Sequence, residues 1–137
     1  MKNKHSNKKI PAFSLVELLV VLCIIGILIL VAYPNLMPLI TQAKSTEAQS
    51  QLSFLYNQEK SYFYMHSKYT NELNAIKFEQ EKLTTEGGKA NYRIEVVEAG
   101  PTTFKAKATS VIDFDGDGIF NTWEIDQDKN LKEAIND

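Results

Sequence analysis

Cysteine is nearly absent from this chain of 137 residues: it occurs once, at Cys23. An intrachain disulfide is thereby excluded, so any folded domain must be held by packing or by another cross-link. Histidine is almost as scarce, with His5 and His66 each standing alone. The sequence has no nucleophile motif, no glycine-rich phosphate-binding loop and no transition-metal cluster, so an enzyme is not expected. Internal repeats and low-complexity tracts are lacking too. Acidic residues are missing where their absence says most. Residues 1–12 carry Lys2, Lys4, Lys8 and Lys9 with no Asp or Glu, and the run from Phe13 to Ala32 carries a single acid, Glu17.

That run, in the context KKIPAFSLVELLVVLCIIGILILVAYP, is the most informative stretch present. At about 1.5 Å per residue its roughly 20 apolar residues span about 30 Å as a helix, enough to cross a bilayer core. The basic flank favours a cytoplasmic N-terminus and an outward C-terminal part. A carboxylate inside such a run costs several kcal/mol unless it finds a partner, which makes Glu17 a functional candidate. An ordinary secretory signal would be cut after the run at small residues, but a cut after Ala32 would put Leu30 where a small residue is wanted. A lipoprotein signal would need a small residue before Cys23, and Leu22 stands there. A plain membrane anchor explains everything except Glu17.

The arrangement resembles the prepilin signal of type IV pilins and pseudopilins. In that family a basic leader is cut just before a Phe, and a Glu follows four residues later. The resemblance places the cut between Ala12 and Phe13, with Glu17 as the matching acid and Ala12 where the family usually has Gly. Gly26, Tyr33-Pro34, Tyr62 and Lys68-Tyr69-Thr70 continue the likeness, which is strongest from Phe13 to about Tyr69. It implies a prepilin peptidase that trims the chain and N-methylates Phe13. It also implies that Glu17 pairs with the new amine of an adjacent subunit and sets register. The segment between Gly26 and Pro34 is expected to unwind in a filament, and Pro34 and Pro38 to kink or unwind the helix locally, since each lacks an N–H.

From Ile40 the composition turns polar. Ala48, Leu52, Leu55, Tyr62 and Phe63 recur at helical spacing, interrupted by Glu59, and predict an amphipathic helix to about Ser67. Glu47, Glu59 and the lysines read as solvated or paired on its surface. The aromatics Phe54, Tyr56, Tyr62, Phe63, Tyr64 and Tyr69 read as core. Residues 70–90 read as a loop with Gly87-Gly88 as breaker. Asn91–Glu98 and Thr102–Ile112 alternate like strands around a Gly100-Pro101 turn, and Phe120–Ile125 reads as a third strand. The fold class is α+β: a long N-terminal helix packed on a C-terminal antiparallel sheet. The organisation is a cleaved leader over 1–12, a transmembrane or filament-core helix over 13–39, and an outward head over 40–137. Loss of the leader takes the formal charge from −2 to −6, because 11 bases then face 17 acids. An acidic exported part argues against general nucleic-acid binding.

Residues 113–124 read DFDGDGIFNTWE. Asp113, Asp115, Asp117, Gly118 and Glu124 match the acid, glycine and glutamate positions of an EF-hand calcium loop, with the Ile119 carbonyl and Asn121 at its other ligand positions. The flanking segments look like strands, so a strand–loop–strand calcium site is the expectation, with Asp126 and Asp128 as substitutes for Glu124. The simpler reading is an acidic hairpin turn, since Asp-Gly pairs are common turn formers.

The expected function is that of a structural subunit of a type IV pilus-like surface filament. Its partners would be other copies of itself, a prepilin peptidase, the inner membrane and the pilus assembly machinery. The alternatives are a type II secretion pseudopilin, a minor pilin that reads DNA or another ligand at a filament tip, and a monomeric membrane-anchored calcium-binding protein.

Overall fold

The computed structural model describes residues 11–137, so the expectations on the basic leader, Lys2, Lys4, Lys8, Lys9 and His5 included, lie outside the described residues. The described residues form one long helix, α1 (Leu15–His66), a short 3-10 turn (Thr84–Glu86) and four strands: β1 (Tyr92–Ala99), β2 (Phe104–Ser110), β3 (Thr122–Asp126) and β4 (Leu131–Ile135). The chain divides into two compact units, with the boundary between Leu36 and Met37.

In the first unit every described residue is exposed. Its side chains from Leu15 to Leu36 are almost all apolar, so the helix presents a hydrocarbon surface on all sides, as membrane spans do. Helical structure continues through Pro34 and Pro38, and no residue between Gly26 and Pro38 is unwound. Pro34 and Pro38 therefore leave the helix wound in the single chain, and the unwinding implied between Gly26 and Pro34 concerns an assembled filament. Each proline removes only its own N–H, and Asn35 Nδ2 adds a bond to the Val31 carbonyl at 3.1 Å.

In the second unit the helix buries Thr41, Ser45, Ala48, Leu52, Leu55 and Glu59. These positions alternate steps of four and three, the spacing that keeps residues on one helical face. That face meets Tyr92 and Ile94 of β1, Phe104, Ala106 and Ala108 of β2, and Ile125 of β3. Tyr69, Ile76 and Phe78 from the connecting segment close the same core. Full burial of Leu52 and Leu55 contributes roughly 1.5–3 kcal/mol each. Phe63 stacks on Tyr69 and Tyr69 on Phe104, at ring distances of 4.7 and 5.4 Å. Phe54 and Tyr64, read as core from the sequence, are instead exposed.

The sheet is an antiparallel meander in the order β1-β2-β3-β4. β2 shows the cleanest alternation: Phe104, Ala106, Ala108 and Ser110 are buried, with Lys105, Lys107 and Thr109 between them. The free edge of β1 is occupied by a side chain. Gln80 Oε1 accepts from Ile94 N at 2.8 Å and its Nε2 donates to the Tyr92 carbonyl at 3.1 Å, so one amide stands in for a neighbouring strand.

Two readings need correction. Glu59 is not on the solvated surface; it lies in the buried row, because its position falls on the core-facing helical spacing. β4 was not anticipated. It is an edge strand with little burial, so it lacks the apolar alternation by which strands are recognised.

Candidate functional site

Two places carry the chemistry, one in each unit. In the first, Pro11 to Ser14 have no regular structure and the helix begins at Leu15. Phe13 is 87% exposed. The helix start is built by a reciprocal pair. Ser14 N donates to Glu17 Oε2 at 2.7 Å, and Glu17 N donates to Ser14 Oγ at 3.2 Å. The Ser14 carbonyl accepts the first intrahelical bond, from Leu18 N at 3.2 Å. Ser14 is thus an N-cap and Glu17 its capping-box partner. The Ser-x-x-Glu spacing is the sequence signal for this cap. Glu17 Oε1 makes no hydrogen bond among the described residues.

In the second, the acidic loop joins β2 to β3. Gly116 and Gly118 sit at φ 84° and 89°, conformations that side chains with a Cβ rarely adopt. The turns they allow aim backbone N–H groups at carboxylates. Asp113 accepts from Gly116 N at 2.6 Å and Gly118 N at 2.7 Å. Asp115 accepts from Asp117 N at 3.0 Å, and Asp117 from Ile119 N at 2.7 Å. Asp113 is held below the ordinary carboxylate range, foremost by the Gly118 N–H, which favours its charged form.

The structure brings Asp113, Asp115 and Asp117 together and adds Asp137, with one oxygen of each within 4.8 Å of the others. Asp137 Oδ2 accepts from Phe114 N at 3.0 Å, while its Oδ1 is buried with no hydrogen-bond partner. No spacing rule would have found Asp137, because it reaches the loop only by way of β4.

Glu124 and Asn121 are not in this cluster. Glu124 lies on β3, opposite Lys107 on one side and Lys132 on the other. With Glu95 opposite Lys107, the register forms a row of alternating sign across all four strands. Strand pairing carries Glu124 away from the loop and supplies it with cationic neighbours. Asn121 is fully buried, and its Oδ1 accepts from Tyr92 OH at 2.8 Å and Ser45 Oγ at 3.4 Å. Its Nδ2 donates to Glu133 Oε1 at 2.6 Å. The side chain is consumed in tying helix, β1 and β4 together. The Tyr92 hydroxyl in this network is pushed up to about 12, chiefly by burial. Asp126 accepts from Asp128 N and Asn130 N in the β3–β4 turn, so neither Asp126 nor Asp128 joins the loop cluster.

The described residues thus make an α+β protein: a helix packed on an antiparallel sheet, with an exposed apolar N-terminal stretch, capped by Ser14 and Glu17, that is long enough to cross a membrane. Residues 7–33 match the family described as the prokaryotic N-terminal methylation motif. The chain is 34% identical over 94 residues to the type IV major pilin protein PilA of Myxococcus xanthus (strain DK1622), a stretch covering 69% of this chain and 41% of that protein. Both likenesses support a type IV pilin. The chain spans about two-fifths of the length of that relative.

Proposed function

We propose that this chain is the precursor of a structural subunit of a type IV pilus-like surface filament. It is made as an inner-membrane protein, cut between Ala12 and Phe13 by a prepilin peptidase and methylated on the Phe13 amine. The pilus assembly machinery then packs it with other copies of itself. The observation that carries this reading is the fully exposed apolar helix with one acid, Glu17, near its start. Such a surface is stable only in lipid or against other helices of its kind. The Glu17 carboxylate, four residues from Phe13, is suited to the Phe13 amine of a neighbouring copy, an ion pair that would neutralise both charges in an apolar core. The alternating row Glu95, Lys107, Glu124 and Lys132 supports a solvated outer face rather than a nucleic-acid grip. Mass spectrometry of sheared surface filaments is expected to find this chain as a main component, starting at N-methylated Phe13. A mature chain that keeps its leader, or starts after Ala32, would overturn the reading.

A second reading concerns the head. The four-aspartate cluster supports a hard-cation site, and the buried, unpartnered Oδ1 of Asp137 is the observation that favours it. Carboxylates and carbonyls in a flexible loop suit Ca²⁺ better than Mg²⁺, which demands stricter octahedral geometry. Asp113, Asp115, Asp117 and Asp137 would hold the ion. A bound cation would offset their mutual repulsion and tie the loop to the end of β4, in a head that has no disulfide.

A further inference from the structure

We propose that Ser14 is a positioning residue for leader removal: its reciprocal cap with Glu17 starts the helix at Leu15 and holds the Ala12–Phe13 peptide outside it. The inference rests on the processing reading above. Removing the leader is a hydrolysis. Water adds across the Ala12–Phe13 peptide bond, leaving the Ala12 carboxyl group and the Phe13 amine. The peptidase must reach the Ala12 carbonyl, and a carbonyl engaged in a helix is both hydrogen-bonded and screened by the next turn. In the structure Pro11 to Ser14 are non-helical and exposed, and the first intrahelical carbonyl is that of Ser14, two residues past the scissile bond.

A competing helix start lies close by. Proline is well suited to the first helical position, because its fixed φ is already helical and its missing N–H would be unpaired there anyway. Pro11 is therefore a ready first residue, and Ala12 after it is the strongest helix former. A helix begun at Pro11 would carry the scissile bond in its first turn and engage the Ala12 carbonyl with Val16 N. The Ser14–Glu17 bonds of 2.7 and 3.2 Å favour the later start. A cap of this kind shifts such an equilibrium by about fivefold, the equivalent of about 1 kcal/mol.

The test is the cleavage rate of the full chain, in detergent with prepilin peptidase, for a series at position 14. N-cap preference runs Asn, Asp and Ser, then Thr and Gly, with Ala and Val far behind. Ser14→Asn and Ser14→Gly are expected to cleave within about twofold of the unaltered chain, and Ser14→Ala and Ser14→Val about fivefold slower. Glycine against alanine is the decisive pair. A direct contact between the peptidase and the hydroxyl would slow both, and a simple need for a small side chain would spare both. Carbon chemical shifts of Ala12 and Phe13 in micelles are expected to move toward helical values in Ser14→Ala and to stay non-helical in Ser14→Gly. Equal rates for glycine and alanine, or unmoved shifts in Ser14→Ala, would overturn the inference. If the unaltered chain and every variant alike go uncut at Ala12–Phe13, the processing reading itself falls and takes this inference with it.

Discussion

Glu59→Gln isolates one unfavourable term in the stability of the head. Glu59 is fully buried. Its Oε2 accepts from Thr70 N at 3.2 Å, and its Oε1 is buried with no hydrogen-bond partner. No cation lies within ion-pair distance of it among the described residues. Burial pushes its carboxyl up from 4.5 to about 7, against the smaller opposing pull of the Thr70 N–H. The sign of the consequence is set by which state holds the proton. Below pH 4.5 the group is protonated in both states and imposes no ionisation penalty. Between pH 4.5 and about 7 the unfolded chain loses the proton first, so the folded state binds more protons and stability falls as pH rises. Above about 7 the loss is complete and amounts to about 3 kcal/mol. Glutamine keeps the shape and the acceptor for Thr70 but carries no charge. Its own desolvation penalty does not vary with pH, so the comparison rests on the difference between two pH profiles. Urea unfolding of the full chain in micelles, followed by the fluorescence of its single tryptophan, Trp123 of β3, reads that difference directly. The variant is expected to gain about 3 kcal/mol on the unaltered protein between pH 4 and pH 8, equivalent to more than about 10 °C in Tm for a head of this size. Parallel profiles would refute the reasoning and show that Glu59 is solvated or paired in the folded state.

Calcium at a hundredfold excess over its dissociation constant should stabilise the head by roughly 3 kcal/mol. Thermal unfolding in calcium and then in chelator checks this, with Asp117→Ala and Asp137→Ala removing most of the response and Glu124→Ala retaining it. Glu17→Val should stay inserted in the membrane, since it removes a charge from an apolar run, but should lower filament yield by at least about tenfold, the equivalent of about 1.4 kcal/mol of lost pairing; cell fractionation with a filament count measures both. Leu52→Ala should destabilise the head by about 2–5 kcal/mol, because it empties a fully buried site, and chemical unfolding at fixed pH reports it.

Periodicity and local composition determined much of this protein. The apolar run and its single acid were legible because membrane insertion depends on length and hydropathy, which are properties of a contiguous segment. The helix face at Ala48, Leu52 and Leu55 and the inward row Phe104, Ala106 and Ala108 were legible because burial imposes fixed spacings of three to four and of two. The loop glycines were legible because tight turns need positive φ. What tertiary structure alone decided are the relations between distant segments. Glu59 is in the core because the helix turns its position toward the sheet, and a polar letter in an apolar stripe does not say which requirement wins. Asp137, not Glu124, reaches the acidic loop because β4 folds back on β3, while strand register sets Glu124 between two lysines. Asn121 sits where a loop ligand was expected, yet its amide is taken by Ser45, Tyr92 and Glu133, residues up to 76 positions away. Long-range pairing of this kind depends on how complete elements dock, and no local window of sequence contains that information.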